Sequence, residues 1–118
     1  PCYPLDKMPG GKVFMEKYKA KFNVDIQLYA PYAYDAANVM IDAMKRANSV
    51  EPAKYLAELP KTAFDGVTAR ITFDERGDVK DGAITMYQAK GGKWATLEAV
   101  GGAAPAPAAA PATPAEKK

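Results

Sequence analysis

The apolar pattern of this chain changes period near Gly66, and that change limits the folds open to it. Ahead of Gly66 the large apolar residues mostly recur at helical spacing. After it they alternate with polar ones, the period of half-buried strands. Helices first and strands second indicate an α+β arrangement or part of a larger α/β fold. The helical part comes without a sheet for its apolar faces to meet, which favours the larger α/β fold.

The helical half starts irregularly, because Pro1, Pro4 and Pro9 break any helix over residues 1–9. Gly10-Gly11 then opens a helix to about Phe22. Phe14, Tyr18 and Phe22 form its apolar stripe, Lys12, Glu16, Lys19 and Lys21 its wet side, and Asn23 is a left-handed stop. Val24, Ile26 and Leu28 alternate with Asp25, Gln27 and Tyr29, which predicts a short strand.

A long helix from about Pro31 to Asn48 follows. Its predicted apolar face is Ala33, Ala37, Met40, Met44 and Ala47, widened by Ala36 and Ile41. Asp35 reads as a first-turn charge suited to the helix dipole, and Lys45 and Arg46 as its last-turn counterparts. A short helix from Pro52 to Leu59 is closed by Pro60. Beyond it, Val67, Ala69, Ile71 and Phe73 predict a strand, Asp74–Asp78 a turn, and Ala83–Ala89 a second strand with Ile84 and Met86 on one face. Lys90-Gly91-Gly92-Lys93 is a hairpin turn, and Trp94–Leu97 is the returning strand.

Of the 118 residues, those from Gly101 onward read GGAAPAPAAAPATPAEKK and carry four of the ten prolines. With no large apolar group to bury, this segment is expected to be a disordered tail. The remaining ~100 residues bury only a modest core.

Composition narrows the function. Sixteen basic and 14 acidic residues interleave to a net charge of +2, without the clustered basic stripe of a nucleic-acid site. The lysines of the first helix read as a solvated face. There is no histidine and one cysteine, Cys2, so a structural zinc site and histidine-based nucleophilic catalysis have no residues to use. Asp74, Glu75, Asp78 and Asp81 lack the spacing of a calcium loop and read as turn formers. No run reaches the ~20 apolar residues of a membrane-spanning helix. No cofactor, metal or catalytic constellation is expected.

Three segments, taken in order, resemble the type I periplasmic solute-binding proteins of branched-chain amino acid ABC transporters. They are Met8-Pro9-Gly10-Gly11-Lys12-Val13-Phe14 with Tyr18–Phe22, Tyr32-Ala33-Tyr34-Asp35-Ala36-Ala37 with Ala43–Ala47, and Phe64-Asp65-Gly66-Val67-Thr68 with Ile71–Asp74 and Gly77-Asp78. The resemblance is to the C-terminal part of that two-lobed fold, read here as three helices followed by three strands. It implies that residues 1–82 close the first lobe, 83–100 form a hinge crossover and strands of the second, and 101–118 are the tail. It also implies a periplasmic location, with a signal peptide upstream of Pro1.

The expected ligand is a branched-chain amino acid or a related small amide held between the lobes. The expected partner is the membrane permease of an ABC transporter, and the expected state a monomer. In such proteins the stretch entering the long helix approaches the cleft, which makes Tyr29, Pro31 and Tyr32 candidate ligand-binding residues. The tyrosines here also suit an ordinary core, Tyr34 most of all, since helical spacing puts it near Ala37 and Ile41. Asp81, Gly82 and Ala83 are the candidate hinge. The ligand's charged groups are expected to be held mainly by parts of the fold outside this chain. Two other readings stay open: a ligand-sensing receptor or regulatory domain of the same fold, and a small independent α+β interaction domain.

Overall fold

The computed structural model describes residues 4–102. The expected tail therefore lies outside the described residues from position 103 onward, as does Cys2. A 3₁₀ turn at Leu5–Lys7 leads into α1, Gly11–Phe22, and Asn23 stops that helix in the left-handed conformation (φ 53°). The apolar stripe of α1 is an aromatic ladder. The Phe14 and Tyr18 rings lie 6.0 Å apart, and those of Tyr18 and Phe22 4.8 Å apart. These spacings fall in the range of favourable tilted ring pairs. Phe22 is nonetheless 55% exposed, so the stripe is covered at one end only.

The predicted strand at Val24–Leu28 does not form. Val24 and Leu28 are exposed, Ile26 is half-buried, and no described strand pairs with the segment. Alternation marks a segment as fit for a sheet, but a ladder needs a neighbouring edge. Asp25, beside it, accepts a hydrogen bond from Lys19 Nζ at 2.7 Å. That bond, and then the charge of Lys19, hold the Asp25 carboxyl below the ordinary aspartate range. A depressed folded pKa adds stability above the ordinary aspartate pKa that is lost as pH falls through the folded one. The pair is exposed, so salt screens it. NMR titration of Asp25 should give a midpoint below that of an unstructured peptide, moving back toward it in molar salt.

The long helix α2 spans Ala30–Ala47, with Pro31 in its first turn and Asn48 as a left-handed cap (φ 49°). Lys45 and Arg46 occupy its last turn as expected. Its buried face is not the predicted one. Pro31, Asp35, Val39 and Ala43 point inward, each four residues after the last, while Ala33, Ala36, Ala37 and Ile41 are exposed and Met40, Met44 and Ala47 half-buried. Tyr34, expected in the core, is 51% exposed, its ring 5.1 Å from that of Phe14. The inward face is set by Asp35, which lies beyond the first turn and so does not serve the helix dipole.

Arg46 secures the other end of α2. It pairs with Asp42, donates to the Glu58 carbonyl at 2.8 Å and reaches Thr62 Oγ1 at 3.2 Å. This joins α2 to the end of the 3₁₀ segment Leu56–Lys61, which continues α3, Pro52–Tyr55. Pro60 lies inside that segment rather than ending it, because proline's missing N–H is tolerated in so short a turn.

Four strands follow, one more than predicted. β1, Ala63–Asp65, pairs antiparallel with β2, Arg70–Thr72, in the register Phe64 to Ile71. Val67 and Thr68 are not strand residues, since their N–H groups serve a side chain instead of a ladder. The Asp74–Asp78 turn is capped by Asp74, whose Oδ1 accepts from the N–H of Arg76 and of Asp78, both at 2.9 Å.

The second hairpin joins β3, Ile84–Lys90, to β4, Lys93–Val100. Gly91 (φ 58°) and Gly92 (φ 75°) make its turn, where consecutive positive φ values suit glycine. In β3 it is Thr85 that is buried, while Ile84 and Met86 are exposed. Among the described residues Met8, Pro31, Val39, Ala43 and Ala83 are the buried apolar side chains, against sixteen exposed large ones.

Candidate functional site

The three residues expected to meet a ligand stand together at the entrance to α2. Tyr29 is the residue just before the helix and is 70% exposed, so its ring is available to a ligand. Pro31 is buried, which removes it from direct contact and leaves it the task of holding the backbone in helical φ. Tyr32 is half-buried and engaged within the protein. The entrance therefore offers one open ring on a fixed turn.

That turn is fixed from below by Asp35, one helical turn past Pro31. Asp35 is 2% exposed. Its Oδ1 accepts from Val67 N–H at 2.8 Å, and its Oδ2 accepts from Thr68 N–H at 2.8 Å and Thr68 Oγ1–H at 2.6 Å. A buried carboxylate needs such donors to offset its lost hydration. The same loop donates Gly66 N–H to Ala69 O at 2.9 Å, and Val67 O accepts from Gly10 N–H at 3.0 Å. One two-residue turn thus ties together the start of α1, the first half of α2 and the β1–β2 hairpin. A shallow groove of ≈ 280 Å³ runs over the junction, lined in part by Tyr34, Asn38 and Phe64.

Sequence reasoning missed this junction. The available signal was an Asp at the four-residue spacing of Pro31, Val39 and Ala43, together with Gly66-Val67-Thr68, a turn rich in N–H donors. Read by hydropathy, Asp35 belongs on the wet face.

The candidate hinge residues lie elsewhere, at the foot of the β3–β4 hairpin. Asp81 has φ 52°, a left-handed conformation that Asp tolerates. Gly82 is exposed and Ala83 is buried (4%). The returning strand passes close by, since a Cβ on Gly101 would meet the Gly82 carbonyl oxygen at 2.9 Å. The hairpin thus leaves the rest of the chain through a two-stranded neck. Among the described residues no cluster of three or more acidic or sulfur-bearing groups is placed to hold a metal, and no helix is long and apolar enough to cross a membrane.

Known proteins share this architecture. The chain is 29% identical, over 84 residues, to the leucine-, isoleucine-, valine-, threonine- and alanine-binding protein of Pseudomonas aeruginosa, a match covering 71% of this chain and 22% of that protein. Its structure resembles a leucine binding protein from Thermotoga maritima with a TM-score of 0.68 and 29% identity, over 84% of this chain and 29% of that one. The chain thus spans less than a third of either relative. Both are amino-acid-binding proteins. The family described as periplasmic binding protein matches residues 1–93, and with the shared fold this places the chain in the periplasmic binding protein family.

Proposed function

We propose that this chain forms one wall and the closing hinge of a periplasmic protein that binds a branched-chain amino acid and delivers it to the permease of an ABC importer. The observation that carries the reading is the family match, which spans both the α2 entrance and the candidate hinge. Residues 1–82 complete one lobe, residues 83–100 cross to the other, and the protein acts as a monomer. Tyr29 packs its ring on the ligand's aliphatic side chain, while Pro31 and Tyr32 hold the turn that presents it. Bending at Asp81-Gly82-Ala83 closes the lobes, and closure signals occupancy to the permease. No chemical step is involved.

The test uses the complete two-lobed protein and this chain side by side. In the complete protein, Tyr29→Ala weakens leucine binding about tenfold, or about 1.4 kcal/mol, with the unliganded melting temperature unchanged because the ring is exposed. Unaltered affinity removes Tyr29 from the site. The chain alone gives no calorimetric signal with leucine, isoleucine or valine at millimolar concentration. Binding there shows that the contacts do not depend on the rest of the fold.

A further inference from the structure

The chain holds two Asp-Gly pairs, Asp65-Gly66 and Asp81-Gly82. Such a pair can react with itself. The glycine nitrogen attacks the aspartate Cγ, forming a C–N bond, and the carboxyl hydroxyl leaves with the amide proton as water. The product is a five-membered succinimide ring. A solvent water then opens either ring carbonyl. One opening returns aspartate, and the other leaves isoaspartate, whose main chain runs through Cβ and Cγ. One water leaves and one enters, so no other reactant is needed. Glycine favours the attack because no Cβ shields its nitrogen and its backbone turns freely.

The fold treats the two pairs oppositely. Asp65 lies in β1, and its Oδ1 accepts from Arg70 Nη1 at 2.7 Å. Gly66 N–H is committed to Ala69 O at 2.9 Å, and Gly66 itself is pressed against the buried Asp35 carboxylate. Its nitrogen reaches the Asp65 Cγ only when that junction opens.

Asp81 and Gly82 are both exposed. Among the described residues the Asp81 carboxylate meets no cation or hydrogen-bond donor, and Gly82 N–H meets no acceptor. The space around Gly82 is open, since an added Cβ would find only Val79 O, at 3.7 Å. Nothing described holds the two reacting groups apart.

We propose that Asp81-Gly82 is a site of spontaneous main-chain modification, where cyclisation to succinimide converts Asp81 to isoaspartate while Asp65-Gly66 in the same folded chain is protected. The product adds one main-chain carbon to the neck of the β3–β4 hairpin, two positions before the buried Ala83. The inference depends neither on the ligand nor on this neck acting as a hinge.

The full 118-residue chain tests it. It is incubated in mildly acidic buffer and digested at intervals, and electron-transfer fragmentation of the peptides separates isoaspartate from aspartate. Isoaspartate at position 81 is expected to exceed that at position 65 at least about tenfold. A parallel sample in urea should lose the difference, because both pairs are then open. Gly82→Ala, which has room for its Cβ, should suppress the product at position 81 while the circular dichroism is unchanged.

Isoaspartate at neither position, or as much at 65 as at 81, overturns the proposal. An excess at 81 that persists undiminished in urea overturns it too, since local sequence would then account for it. So does a product at 81 that Gly82→Ala leaves unaltered.

Discussion

Replacing Asp35 with alanine should unfold a large fraction of this protein at room temperature, or lower its stability by at least about 3 kcal/mol. Three donors converge on that carboxylate: Val67 N–H, Thr68 N–H and Thr68 Oγ1–H. Alanine leaves all three without an acceptor in a place where Asp35 itself is 2% exposed. Each buried unsatisfied group costs about 1–3 kcal/mol, and the set is not additive because the loop relaxes. Domains are stable by only about 5–15 kcal/mol, and this one has a thin core, so the loss is large in proportion. Asp35→Asn keeps the shape and one acceptor but turns an amide N–H₂ toward Thr68. It should fall between parent and alanine in urea melts. An alanine variant as stable as the parent would show that the junction carries no weight.

Gly66→Ala should be the second most damaging single change. An added Cβ would sit 2.5 Å from Asp35 Oδ2 and 2.7 Å from its Cγ, closer than real Cβ atoms come to other groups. Either the carboxylate moves off its donors or the turn opens, and overpacking of this kind costs about 1–3 kcal/mol. The two positions are coupled through this contact. In the Asp35→Ala background the obstruction is gone, so Gly66→Ala should cost less there, with a coupling of at least about 0.5 kcal/mol in a double-mutant cycle. Equal cost in both backgrounds would mean that Gly66 is required for its turn alone.

These two predictions concern residues whose joint role sequence reasoning did not reach, while much around them was legible. The left-handed stop at Asn23, the proline start and basic end of α2, and the Gly91-Gly92 turn all follow from neighbours a few positions apart. Local steric preference and the helix dipole decide such features before any packing occurs. The order of elements and the three family segments were legible for the same reason. The start of α2 was legible to within a residue, but Pro31 is buried and Tyr29 open, because exposure depends on what packs against the turn.

Two errors share one cause. Val24–Leu28 has the alternation of a strand, but pairing requires a second segment, and alternation says nothing about whether one is present. The face of α2 was misplaced because hydropathy assigns a carboxylate to water. Its burial became favourable only when a turn 32 and 33 residues further on brought its N–H groups to meet it.

What the sequence determined alone is therefore local and familial: where helices stop, where chains reverse, and the periplasmic binding fold to which the segments belong. Which side of α2 faces inward was decided by the tertiary structure. A buried charge is tolerated only where donors from distant sequence converge on it, and no periodicity along one helix records that convergence.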